Sequence, residues 1–169
     1  NMSTRPRITF DKKGWCNACQ WMEEKKTLDW SKRENELLVL LDQYRKNDGG
    51  FDCIVPVSGG KDSTYQVVRM LQMGLNPLCV TSTTCNLSEI GRTNIENIKK
   101  LGVDYLEMSP NSSIRVKLNR IGLKQVGDIS WPEHVSIFTA PVKFALAYNI
   151  PLILWGENPQ LEYGGPENG

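Results

Sequence analysis

Short apolar runs alternate with longer amphipathic stretches along most of this chain, and that alternation predicts its architecture. Cys53-Ile54-Val55-Pro56-Val57, Leu78-Cys79-Val80, Tyr105-Leu106-Glu107-Met108 and Leu152-Ile153-Leu154-Trp155 are short and almost free of polar positions. Strands of that kind are buried on both faces, as in a parallel sheet covered by crossover helices. Between the first two runs, Val67, Val68 and Leu71 recur at helical spacing before Gly74. Between the next two, Ile95, Ile98 and Leu101 do the same before Gly102, so each crossover predicts a helix closed by a glycine. The third crossover is longer. Ile114, Leu118 and Ile121 predict one helix, and Ser130 with Glu133 starts another that carries Val135, Phe138, Val142 and Ala145. Pro141 is expected to kink or divide that last helix. The fold class is therefore α/β, a parallel sheet of five strands or fewer with helices on both faces.

Upstream, Ser31 and Glu34 form an S-x-x-E start, and Leu37, Leu38, Leu41 and Tyr44 lie along one helical face that Asn47-Asp48-Gly49-Gly50 ends. Residues 1–30 hold Arg5-Pro6, three tryptophans and the C-x-x-C of Cys16 and Cys19, but no sustained period. They read as an irregular N-terminal segment, with residues 31–169 as the α/β domain.

Composition changes this picture little. The chain has 169 residues, 40% of them hydrophobic and 23% charged, with a formal net charge of +1. That is enough for one sizeable core, and near-neutrality argues against a protein whose main task is gripping a nucleic-acid backbone. No apolar run is long enough for a membrane span or a secretory leader, so a cytoplasmic protein is expected. Five cysteines at scattered positions do not read as a disulfide framework.

The chemistry is concentrated in Ser58-Gly59-Gly60-Lys61-Asp62-Ser63, between the first apolar run and a helix. An open α/β sheet places its ligand at the carboxyl ends of its strands. Two glycines let successive backbone N–H groups turn inward as an anion nest, and the following helix adds its positive end. Ser58 and Ser63 supply hydroxyls and Lys61 a mobile cation. Asp62 would repel a phosphate unless a divalent cation lay between them, so a magnesium-polyphosphate ligand is expected. A Walker A loop is excluded, because Val55 stands where its first glycine belongs and Asp62 follows the lysine.

This S-G-G-x-D-S pattern after a strand resembles the signature of the PP-loop ATP pyrophosphatases, whose fold is that of the adenine-nucleotide α-hydrolases. The resemblance implies cleavage of ATP between its α and β phosphates and transfer of AMP to a substrate oxygen. ATP would lie on Val57 to Ser63, on Thr81 and Ser82 at the end of the second strand, and on Gly156 at the end of the fourth. Lys61 and Asp62 would be the catalytic pair, with Asp62 on Mg²⁺.

A narrower likeness spans nearly the whole chain. Thr4-Arg5-Pro6-Arg7-Ile8-Thr9-Phe10-Asp11, Gly14-Trp15-Cys16-Asn17-Ala18-Cys19, the loop, Thr84-Cys85-Asn86-Leu87-Ser88-Glu89-Ile90-Gly91-Arg92, Gly127-Asp128-Ile129-Ser130-Trp131-Pro132-Glu133-His134 and Trp155-Gly156-Glu157-Asn158-Pro159-Gln160 together look like the N-acetyl sugar amidotransferases of bacterial surface-polysaccharide pathways. The resemblance implies conversion of an acetamido group on a nucleotide sugar to an acetamidino group. It also implies a glutaminase and a cyclase-like subunit that deliver ammonia, with no membrane or nucleic-acid partner. Members usually carry another C-x-x-C before the first of these segments and continue beyond the last, so the chain is expected to be a truncated core.

Several residues keep two readings. Cys16 and Cys19 have the spacing of half a zinc site, against reduced free thiols. Cys85, Glu157 and Asn158 are candidates to touch the sugar, although a small loop cysteine is commonly inert. His134 favours a surface or capping role, and Arg5, Arg7 and Arg92 a solvated one over contact with a nucleotide-sugar diphosphate. Two rival functions use the same loop: a tRNA-thiolating enzyme with cysteine sulfur carriers, and an ATP-binding module without catalysis.

Overall fold

The computed structural model describes residues 8–83 and 87–156. By their internal contacts these divide at Leu41, into one unit of residues 8–41 and another of residues 42–156.

The first unit is more ordered than its lack of periodicity suggests. Asp11 Oδ1 accepts from the amides of Lys13 at 2.8 Å and Trp15 at 2.9 Å, Gly14 takes φ +80°, and Phe10 bridges Cys16 in antiparallel fashion. This turn delivers Cys16 to the N-cap of α1 (Asn17–Glu24), and a single 3₁₀ turn, Lys25–Thr27, follows. The irregular segment expected for residues 1–30 is thus corrected for residues 8–30. A turn held by one side chain is too short to show a period. Helix α2 spans Trp30–Asp42, and its first turn is capped by Asp29, whose Oδ1 accepts from Lys32 N at 2.9 Å; Ser31 lies inside the helix rather than before it.

The second unit is the α/β domain. Strands β1 (Cys53–Pro56), β2 (Pro77–Ser82) and β3 (Asp104–Met108) form a parallel sheet in the order β1-β2-β3. Cys53 pairs with Pro77 and Leu78 with Asp104. Leu152 to Trp155, expected as a fourth strand, makes only a parallel bridge between Ile153 and Ile54 on the other side of β1, with Ile54 N donating to Leu152 O and Leu154 N to Ile54 O, both at 2.9 Å. β1 is therefore flanked by β2 and by this returning segment.

The crossovers are α3 (Lys61–Gln72), α4 (Glu89–Lys99), and the pair α5 (Ser112–Val126) and α6 (Trp131–Ala147). Gly74 and Gly102 close α3 and α4 at φ +75° and +87°, as their positions in the sequence predict. On one face of the sheet Ile54, Leu78 and Val80 pack with Ala145 and Ile150, supported by Phe51, Leu106, Phe144 and Ile153. Strand alternation sends Cys53, Val55 and Cys79 to the opposite face, the side of α3, where Val67 is fully buried. Each fully buried Ile, Leu or Val contributes roughly 1.5–3 kcal/mol. Helix α6 runs unbroken through Pro141, contrary to the expected division. That ring is buried, so its packing offsets the missing N–H. Between α5 and α6 a Cβ on Gly122 would lie 2.7 Å from Asp128 O, so only glycine lets the loop close this tightly.

Asp52 ties the lower edge of the sheet together. It is buried, its Oδ1 accepts from Lys46 N at 2.6 Å, and its Oδ2 accepts from Asn76 N at 2.7 Å.

Candidate functional site

The loop that follows β1 lies at the carboxyl edge of the sheet, where the chain has gone to β2 and β3 on one side and returns along residues 152–154 on the other. Such a reversal of strand order opens a crevice between neighbouring connections, and ligands of open α/β sheets bind there. Ser58 to Ser63 sits at that point. Gly59 takes φ +79°, and a Cβ on it would lie 3.1 Å from Asn94 Cβ and 3.4 Å from Gly91 O, so the loop is pressed against α4 in a conformation that favours glycine. Gly60 is the N-cap of α3, whose first turn follows directly.

The hydroxyls expected to meet phosphate hold the loop in shape. Ser58 Oγ accepts from Gly60 N and Ser63 Oγ from Ser58 N, both at 3.4 Å, while Ser63 donates to Gly60 O at 3.2 Å and Thr64 Oγ1 to the same carbonyl at 2.9 Å. Long bonds of 3.4 Å are weak and easily exchanged for a better acceptor. Lys61 Nζ reaches Asp62 Oδ1 and Oδ2 at 2.6 Å. Both side chains are largely exposed, so the pair holds little energy and the lysine is free to turn to an anion.

The root of the loop is fixed from β2. Val57 N donates to Val80 O at 2.9 Å, and the buried Thr81 hydroxyl donates to Val57 O. Thr81 thus spends its proton on positioning the loop. Ser82, one residue on, has a buried Oγ without a protein partner. Gly156 faces α3: a Cβ there would lie 3.0 Å from Gln66 Oε1, itself a buried acceptor without a protein partner. Two buried polar atoms, Ser82 Oγ at the end of β2 and Gln66 Oε1 on α3, therefore lack a protein partner, and such atoms call for a ligand or ordered water.

Sequence reasoning missed Gln66, and also a polar network at the ends of β2 and β3. Thr83 N donates to Met108 O at 2.8 Å, its Oγ1 donates to Glu107 Oε1 at 2.8 Å, Ser109 Oγ donates to Thr83 Oγ1 at 3.2 Å, and Arg115 Nη1 donates to Thr83 O at 2.6 Å. Arg92 completes it with 2.8 Å to Glu107 Oε2. The hydrogen bond from Arg92, then that from Thr83, holds the Glu107 carboxyl below the ordinary glutamate range, and the same pairing raises Arg92. Arg92, expected in solvent, is thus held by a carboxylate. These residues come from four elements far apart in sequence, and no local spacing announces them.

His134 lies on the surface with Nδ1 4.0 Å from Asp128 Oδ2. Arg5, Arg7, Cys85, Glu157 and Asn158 lie outside the described residues.

The donor set fits one metal and not the other. Asp62 offers an exposed carboxylate beside an anion nest, which suits Mg²⁺, an ion that commonly takes one or two protein carboxylates with phosphate and water completing its shell. Cys16 and Cys19 stand 3.5 Å apart at the start of α1, and the backbone N–H of Cys19 holds the Cys16 thiol below its usual value. Among the described residues no group of three metal-binding side chains forms, so a zinc site is not supported.

A parallel three-stranded sheet with helices on both faces and a glycine-rich loop at the carboxyl end of its first strand defines an open α/β fold. The same fold occurs in NMN synthetase from Francisella tularensis, with a TM-score of 0.58 and 16% identity over 78% of this chain. It occurs also in the NH3-dependent NAD synthetase from Campylobacter jejuni, with a TM-score of 0.56 and 16% identity over 82% of this chain. The chain spans 56% and 62% of the length of those two structures. No protein-family model matches it, and neither does any curated protein. Among the described residues no helix is long and apolar enough to cross a membrane.

Proposed function

We propose that this chain is the ATP-binding core of an enzyme that adenylates a carbonyl oxygen and lets ammonia displace the AMP. The observation that carries this reading is the loop Ser58 to Ser63 at the reversal of strand order, with Gly59 locked at φ +79° and α3 starting at Lys61. Its amides and the helix end suit a polyphosphate, and Lys61 and Asp62 suit a polyphosphate carrying magnesium. Mg²⁺ held partly by Asp62 would neutralise phosphate charge.

The chain's own residues then do three things. Lys61 leaves Asp62 and pairs with the charge that develops on departing pyrophosphate. Thr81 holds Val57 so that the loop amides keep their aim. Ser82, whose Oγ lacks a protein partner, and Gly156 would meet the rest of the nucleotide. Adenylation is needed because an amide oxygen is a poor leaving group until it is carried off on phosphate. Ammonia, already a good nucleophile, needs no strong general base.

For the acceptor we favour the acetamido group of a nucleotide sugar, which would become acetamidino. The segments around Trp15, Arg92, Trp131 and Trp155 support this through their likeness to the sugar amidotransferases. Ammonia as the nucleophile is supported by the shared fold of the NH3-dependent NAD synthetase. A glutaminase and a cyclase-like subunit would deliver it, in the cytoplasm, where free thiols such as those of Cys53 and Cys79 persist.

Incubating the full-length protein with ATP, magnesium, ammonia and a nucleotide-linked acetamido sugar tests the reading. Formation of AMP and pyrophosphate is expected, and Lys61→Ala should abolish it. AMP release that survives the substitution would sink the assignment. AMP release only with tRNA would replace the acceptor.

A further inference from the structure

We propose that Cys16 and Cys19 form a redox-active dithiol, which closes to a disulfide by exchange with a low-molecular-weight disulfide and reopens with a thiol. A C-x-x-C outside a disulfide framework has two readings, half of a metal site or a redox pair. Among the described residues no third metal-binding side chain joins these two, which favours the redox pair. The sulfurs stand 3.5 Å apart, against about 2.0 Å in a disulfide, so an approach of roughly 1.5 Å closes the bond.

The backbone is already shaped for closure. Cys16 is the N-cap of α1, at φ −77° and ψ 154°, and Cys19 lies in the first turn of that helix. Cys19 N and Gln20 N both donate to Cys16 O, at 2.9 and 3.0 Å. Asn17 N donates to Thr9 O at 3.0 Å, and Gln20 Nε2 to Trp15 O at 3.0 Å. Little backbone freedom is left to lose when the ring forms, and that loss is what ordinarily opposes ring closure. The two thiols differ in a useful way. Cys16 is buried, and the backbone N–H of Cys19, then the Cys19 thiol, holds it below its usual value, so it becomes a thiolate more readily than a free cysteine. Cys19 is exposed and meets a reagent in solution first. Cys53 and Cys79 are buried, with thiols pushed up to about 12, and stay out of the reaction.

The exchange runs in two steps. Cys19 Sγ attacks one sulfur of the reagent; that S–S bond breaks, and the other half leaves as a thiol with the Cys19 proton. Cys16 Sγ then attacks Cys19 Sγ, forms the internal S–S bond, and displaces the second half as a thiol with the Cys16 proton. Two protein thiols are oxidised, and one reagent disulfide is reduced to two thiols. A pair whose reduced form holds a stabilised thiolate is readily reduced again, so this one follows the thiol–disulfide poise around it.

Equilibrating the intact chain with glutathione disulfide, blocking the remaining thiols and digesting with trypsin reads this by mass. Peptide 14–25 holds Cys16 and Cys19 and no other cysteine. It should lose two hydrogens, and reduced glutathione should restore them. Cys16→Ser lacks the second step and should carry glutathione on Cys19 at least about tenfold more than the parent does. The parent's own mass change remains decisive should that variant disturb the start of α1. A peptide 14–25 that stays reduced in the parent, or keeps glutathione on Cys19 without closing, would overturn the proposal. So would stoichiometric zinc that shields both thiols, which would restore the metal reading. None of these outcomes bears on ATP cleavage, because the peptide lies outside residues 42–156, which carry the loop.

Discussion

Gly59 offers the sharpest test of the loop's conformation, because its neighbour Gly60 provides the control. At φ +79° an alanine is held in the left-handed region, which costs about 1–2 kcal/mol for a residue with a Cβ. The added methyl would also sit 3.1 Å from Asn94 Cβ and 3.4 Å from Ile95 Cγ1, so α4 must yield by a few tenths of an ångström. Gly60, at φ −76° and ψ 167°, is in a region open to any residue, and a Cβ there would meet only Ser58 Oγ at 3.4 Å. Its replacement should cost about 0.5 kcal/mol, the difference between glycine and a poorer helix N-cap. For a domain of this size, 1 kcal/mol moves the melting temperature by roughly 2–4 °C. Gly59→Ala should therefore lower it by roughly 2–8 °C, and Gly60→Ala by no more than about 2 °C. Thermal unfolding followed by circular dichroism, in parallel with calorimetric titration of magnesium-ATP, separates the two effects. Gly59→Ala should weaken nucleotide binding as well, because the amides of Ser58 and Gly60 turn together with it. A Gly59→Ala protein that melts with the parent, or less stability in Gly60→Ala than in Gly59→Ala, would refute the left-handed loop and the nest built on it.

Asp52→Asn should cost about 2 kcal/mol in urea unfolding at neutral pH, since the carboxylate accepts from two backbone amides and an amide side chain has only one acceptor atom to offer them. Glu107 gives a pH dependence. Its carboxyl is depressed below the ordinary 4.5, so its contribution is present above that pH and is lost as pH falls through the native value. Glu107→Gln should flatten the acid limb of a melting-temperature profile while changing little of the alkaline limb; an unchanged acid limb would rule out the pairing with Arg92. Burial pushes the Cys53 and Cys79 thiols up to about 12, so both should resist a thiol reagent in the native protein at mildly alkaline pH while the exposed Cys19 reacts. The unfolded chain releases those protons near 9.0, so stability should fall as pH rises from there toward about 12, and less steeply in Cys79→Ala.

What was legible in the sequence is what local order determines. The runs at Cys53, Leu78 and Tyr105 lie in parallel strands because each is short, apolar and closed by turn residues, and the loop at Ser58 lies between strand and helix because its glycines leave no other local choice. What failed was settled at a distance. Leu152 to Trp155 is as apolar as β1, yet a ladder needs a partner along its whole length, and it meets β1 only at Ile54. Pro141 should stop a helix by local rules, and it does not, because its ring is buried where α6 meets the sheet. The Thr83, Glu107 and Arg115 network has no sequence signature at all, since it exists only once β2, β3 and α5 have met. The site divides the same way. The glycine-rich loop is six consecutive residues and is readable as text, whereas the unpartnered Gln66 Oε1 and its closeness to Gly156 exist only once α3 and the returning segment have met.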